Sequence, residues 1–119
     1  STILNTGRFH EGNWEVRSAM PYSKVKITVL KRTFNRDAVD ECASGPWEPC
    51  SMFKDGQEFT VDGLFMPQGF CSLAWADIEK YVQVLVHGGN FSGSKEGMTV
   101  ACCTDGYRPV IFKLEKLTG

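Results

Sequence analysis

Cys42, Cys50, Cys71, Cys102 and Cys103 are the residues of this sequence with the widest chemical reach, because a thiolate is both a nucleophile and a soft metal ligand. What stands beside each thiol decides its use. Cys71 precedes Ser72, the expected N-cap of a helix, and a helix N-terminus favours the thiolate. Asp105-Gly106 is a two-residue turn signal that would pair Cys103 with Arg108, whose guanidinium would act in the same direction. Asp77 falls one turn into the same helix beside Trp75, where aromatic shielding would suit a carboxylate to general acid or base work. The candidate catalytic set is therefore Cys71, Asp77, Cys103 and Arg108, with Trp47, Cys50 and Trp75 as walls of a ligand pocket. A cysteine nucleophile also needs a base within reach, for which His10, His87, Asp77 and Glu58 are the choices.

Each of these residues also has a plainer use. Free cysteine packs as a small hydrophobe, large aromatics fill cores, and a carboxylate early in a helix simply stabilises its dipole. Cys50, Cys71 and Cys103 with His10 or His87 could ligate a metal, but the paired C-x₂-C knuckles of structural zinc sites are missing. The spacing assigns neither a metal nor any other cofactor. Gly88 to Lys95 reads G-x-x-x-x-G-S-K, yet a phosphate loop needs Lys before the hydroxyl residue and must lead from a strand into a helix. This segment follows a helix and precedes a strand, so nucleotide binding is not expected.

The elements that must position these groups read as an α+β fold. Lys24 to Arg32 alternates, with Val25, Ile27 and Val29 on one face, as a half-buried strand does. Asn35 can cap a short helix through Cys42 that Gly45 and Pro46 end, and Trp47 to Phe53 forms a loop. Asp55-Gly56 turns the chain into a second strand, Glu58 to Val61, with Phe59 and Val61 inward. Helical spacing of Ala74, Ile78, Tyr81, Val82 and Leu85 marks the main helix, residues 73–87, capped by Ser72 and stopped by Gly88-Gly89. Met98 to Cys103 and Val110 to Leu117 then make a C-terminal hairpin around Asp105-Gly106, pairing Ala101 with Val110 and Thr99 with Phe112. Pro109 fits the end of an edge strand. The expected architecture is a small antiparallel sheet or partly open barrel with one main helix.

Several runs in this order, Val25-Lys26-Ile27-Thr28-Val29-Leu30-Lys31-Arg32, Gly56-Gln57-Glu58-Phe59, Gly69-Phe70-Cys71-Ser72-Leu73-Ala74-Trp75-Ala76-Asp77 and Cys102-Cys103-Thr104-Asp105-Gly106-Tyr107-Arg108-Pro109-Val110-Ile111-Phe112-Lys113, resemble a family of small uncharacterised microbial proteins. The resemblance spans Lys24 to Leu117 and implies no particular activity. Residues 1–23 look like an extension of the family core, and Ser51-Met52-Phe53 departs slightly from its commoner leucine-containing loop.

Composition sets the outer bounds. A chain of 119 residues suits one domain, here an N-terminal arm (1–23) and a single α+β domain (24–119). The arm carries Ile3, Leu4, Phe9, Trp14 and Val16, so it is expected to pack on the domain or on a second copy in a homo-oligomer. A formal charge of −1 gives no field for nucleic acid, and Lys24, Lys26, Lys31, Arg32 and Arg36 read as a solvated basic face. No apolar run is long enough for a membrane span, no targeting segment opens the chain, and an odd number of cysteines argues against a disulfide framework. A cytoplasmic location follows as the expectation, with Asn90-Phe91-Ser92 a chance match to a glycan acceptor. The functional expectation is a small-molecule-handling protein, with isomerase, lyase or cyclase chemistry as the accessory-enzyme form. The alternatives are a noncatalytic metal- or ligand-binding module and an interaction protein that oligomerises through its arm.

Overall fold

The computed structural model describes Tyr22 to Leu117; the arm up to residue 21, with His10, lies outside the described residues. The fold is α+β, an open four-stranded antiparallel sheet with two helices. In chain order the elements are β1 (Val25–Arg32), α1 (Arg36–Cys42), β2 (Glu58–Val61), α2 (Ser72–Val86), β3 (Met98–Cys102) and β4 (Val110–Lys116), and the strand order is β2-β1-β4-β3.

Period-two alternation builds the inner face of the sheet. Val25, Ile27 and Val29 of β1, Val61 of β2, and Val110, Phe112 and Leu114 of β4 are buried, and α2 covers them with Ala74, Ile78, Val82 and Leu85. Tyr81, counted on that face from its spacing, sits at its margin and stacks on Phe91 with centroids 5.7 Å apart. Five aromatic rings thicken one end of this core. Phe53 meets Phe59, Phe70 and Phe112 at 5.0 to 5.9 Å, and Trp75 closes on Phe70 at 6.2 Å. Edge-to-face and tilted pairs of this kind add to the stabilisation from burial alone.

The helix ends follow from backbone demands. Gly88 takes φ +85°, its N–H bonds to the Leu85 carbonyl, and the Gly89 N–H bonds to the Val84 carbonyl. This is a Schellman stop, which requires the left-handed conformation at Gly88. At the other end Cys71, not Ser72, is the N-cap residue, and Ser72 is already helical. The helix thus spans Ser72–Val86, one residue earlier at each end than its periodicity indicates. Asn35 stands at the N-cap of α1 without a side-chain bond to the helix, and its amide nitrogen donates to the Gly106 carbonyl at 2.6 Å.

The C-terminal hairpin departs from expectation in register. Cys102 pairs with Ile111, Ala101 with Phe112 and Thr99 with Leu114, so every partner shifts by two residues and Cys103 faces Val110, not Arg108. A type I′ turn needs positive φ at both central residues, and Gly106 does not take it. Instead the Asp105 carboxylate accepts the Tyr107 N–H at 3.0 Å and holds a wider loop of residues 104–109. Pro109 precedes a central strand, not an edge strand, since β4 lies between β1 and β3. Its missing donor costs nothing there, while its carbonyl accepts both the N–H and the hydroxyl of Thr33.

Candidate functional site

Where the N-terminus of α2, the loop before β2 and the β3–β4 loop approach one another, they leave a cavity of about 470 Å³. Its walls include Cys50, Cys71, Asp77, Cys103 and Arg108, with Met52, Phe53, Leu73 and Val110 supplying apolar surface. Three thiols from three separate segments thus share one hollow with a carboxylate and a guanidinium. Cys42 and Cys102 lie elsewhere, both exposed, in keeping with opposite faces for adjacent residues at the end of β3.

Local structure explains how each side chain arrives. Cys103 continues the ladder beyond β3: its N–H donates to the Val110 carbonyl at 3.1 Å, and its Sγ accepts the Val110 N–H at 3.2 Å. Cys71 stands at the mouth of α2 as its N-cap, with its carbonyl accepting the Trp75 N–H at 2.9 Å. Cys50 is set by Arg32, whose Nη1 donates to the Cys50 carbonyl at 3.1 Å while its backbone N–H and Nε hold Asp55. Arg32 therefore anchors a wall of the hollow and is no freely solvated charge. Three other members of the basic cluster are likewise engaged. Lys24 lies 3.8 Å from Asp62, Lys26 lies between Glu58 and Glu115, and Arg36 is 3.6 Å from Asp40.

Asp77 reaches across from α2 to the start of the β3–β4 loop. Its carboxylate accepts the Thr104 N–H at 2.8 Å and the Thr104 hydroxyl at 3.0 and 3.1 Å. Arg108 is fixed from two sides, by a 3.1 Å ion pair with Asp105 and by a guanidinium stacked 4.7 Å from the Trp47 ring. That Trp47 ring also meets Tyr107 at 4.7 Å.

Two of the sequence candidates do not line the hollow. Trp75 turns into the core, because the helix sets it next to the inward Ala74 face and roughly opposite Asp77, two residues on. It gives Asp77 no aromatic shield, and Asp77 is half-buried at the edge of the hollow. Trp47 stands behind Arg108 and borders separate, more open depressions with Pro46. The proposed bases are also apart: Glu58 pairs with Lys26, and His87 caps the far end of α2, with Nδ1 on the Gln83 carbonyl and its ring against Tyr22. Among the described residues no three His, Cys, Asp or Glu side chains converge closely enough to hold a metal ion.

Thr104, Asp105 and Leu73 are site residues that the sequence reading passed over. Thr104 was within reach of inference, because it directly follows a candidate thiol and β-hydroxyl residues after strands commonly anchor loops. Leu73, 78% exposed beside the N-cap, had a signal in being off the helical apolar face.

No family model matches the chain, and neither do any curated protein or solved structure, so the reading of the hollow rests on its own geometry. Among the described residues no helix is long and apolar enough to cross a membrane.

Proposed function

We propose that this chain handles a small organic molecule in the hollow between the α2 N-terminus and the β3–β4 loop. The observation that carries this reading is the meeting of Cys50, Cys71 and Cys103, remote in sequence, on the wall of one largely apolar cavity with Asp77 and Arg108. A wall of thiols and a carboxylate suits reactions that move a proton within one substrate, as isomerases, lyases and cyclases do. The pairing of Lys24, Lys26, Arg32 and Arg36 with carboxylates supports a ligand other than nucleic acid. Five free thiols suit a reducing compartment, and the cytoplasm is the location we propose.

Noncatalytic ligand binding is the second reading, and a specific observation favours it. Asp77 is bonded to Thr104 and Arg108 to Asp105, so both charged groups already have protein partners in the hollow. A fragment screen followed by backbone amide shifts tests the site. Binders should perturb residues 50–53, 71–77 and 103–110 together, and binders that perturb only other regions, or none at all, would overturn the proposal. Cys71→Ser with Cys103→Ser then separates the two readings. Loss of turnover with retained affinity marks catalysis, whereas unchanged handling of the ligand removes the thiols from either role. Self-association through the arm is a separate proposal, tested by deleting residues 1–22 and measuring the mass in solution.

A further inference from the structure

The polar groups of the hollow are only partly paired with one another. Some of its donors are committed: the N–H and hydroxyl of Thr104 serve Asp77, and Arg108 gives Nε to Asp105 and one Nη1 hydrogen to the Glu48 carbonyl. Its charges are lopsided. Asp77 and Asp105 are two carboxylates against the single guanidinium of Arg108, and Asp105 takes that guanidinium at 3.1 Å. Asp77 has no cationic partner among the described residues. Lys80, one turn along α2, lays its ammonium over the Tyr81 ring instead. A carboxylate offers about four lone-pair positions, and Thr104 brings only two donors to them.

We propose, resting on the reading of this hollow as a ligand site, that its ligand is a small amphiphile with an apolar body and an amine or similar cationic donor as its head. The body lies against Met52, Phe53, Leu73 and Val110, and the head meets the open lone pairs of Asp77. Apolar walls beside an uncompensated carboxylate favour this combination, because part of the water that would screen the ion pair is excluded. A carboxylate-headed ligand of equal size meets the same Asp77 with like charge, and the one guanidinium it could seek is already neutralised by Asp105.

Three probes of nearly equal size decide the matter: phenethylamine, 2-phenylethanol and 3-phenylpropanoate, each titrated into the full-length protein while amide shifts of Cys71, Leu73 and Thr104 are followed. The amine is expected to bind about tenfold more tightly than the carboxylate, with the alcohol between them. In Asp77→Asn, which keeps an acceptor for the Thr104 N–H, that preference should vanish while alcohol affinity holds. An amine that binds no better than the carboxylate, or a preference that survives in a folded Asp77→Asn, overturns the assignment and leaves the pocket standing. If none of the three shifts these amides, the pocket falls with it. The wild-type comparison needs no variant to fold.

Discussion

Asp77 on α2 and Thr104 at the start of the β3–β4 loop, 27 residues apart in sequence, are joined by a 2.8 Å bond from the Thr104 N–H to the carboxylate, reinforced by the Thr104 hydroxyl. This contact fixes the distance between two walls of the hollow. Hydrogen bonds to a charged acceptor exceed neutral ones, but this pair is exposed and water competes for it. Asp77→Ala should therefore cost about 1–2 kcal/mol in urea unfolding, and Thr104→Val, which keeps the N–H bond, about half of that. Equal stabilities of wild type and Asp77→Ala would mean the two walls are held together by packing alone.

The loop of residues 104–109 owes its shape to one side chain. Asp105 accepts the N–H of Tyr107 at 3.0 Å and pairs with Arg108, which lies on Trp47. Asp105→Ala removes the cap and the counter-ion together. Amide exchange at Tyr107 should accelerate by about tenfold, while amides within α2 keep their protection, since local opening is set by local bonds. Unchanged exchange at Tyr107 would transfer the credit to the Trp47–Arg108 stack.

Phe112 lies at the centre of the core, fully buried, with Phe53 at 5.2 Å and Phe70 at 5.5 Å. Truncating a buried Phe to Ala costs about 3–5 kcal/mol, a large part of the roughly 5–15 kcal/mol that stabilises a domain. Phe112→Ala is expected to lose most of the cooperative thermal transition. Phe65→Ser, at a residue 81% exposed, should stay within about 0.5 kcal/mol of wild type. A comparable loss from both would place Phe65 in contacts beyond the described residues.

Legibility in the sequence followed the range of the interaction. Val25, Ile27 and Val29 alternate because one strand lies between water and core, and that pattern survives any tertiary context. Ala74, Ile78, Val82 and Leu85 were equally plain on α2. Hairpin register was not, because Asp105-Gly106 favours a tight turn in isolation while Asp105 finds better partners in Tyr107 and Arg108. The aromatic cluster was invisible, since Phe53, Phe70 and Phe112 come from two loops and a strand with no shared period.

The site was half legible for the same reason. Cys50, Cys71 and Cys103 could be placed at element ends, where chain segments meet, but nothing local says which ends face each other. Trp75 shows the opposite failure: adjacency to Asp77 in sequence suggested a shared pocket, whereas two residues of helix turn the side chains roughly to opposite sides. The Asp77–Thr104 bond depends on how α2 crosses the sheet, and so it became visible only with the fold.

The five thiols divide by location, and that division predicts their order of reaction. Cys42 and Cys102 are exposed; Cys50, Cys71 and Cys103 are partly covered and share the hollow. Thiol attack requires both thiolate and access, so with a bulky charged disulfide reagent the first pair should react in a fast phase and the three hollow thiols should lag. Unfolding in denaturant should merge all five into one phase. Peptide mass mapping after partial labelling assigns each phase to its residues. A ligand seated in the hollow should then slow Cys50, Cys71 and Cys103 further and leave Cys42 and Cys102 untouched, because only the former three share walls with it. Protection that spreads equally over all five would indicate global stabilisation by a ligand bound elsewhere, and fast labelling of Cys103 in the native protein would show that the wall formed by Cys103 and Val110 opens freely.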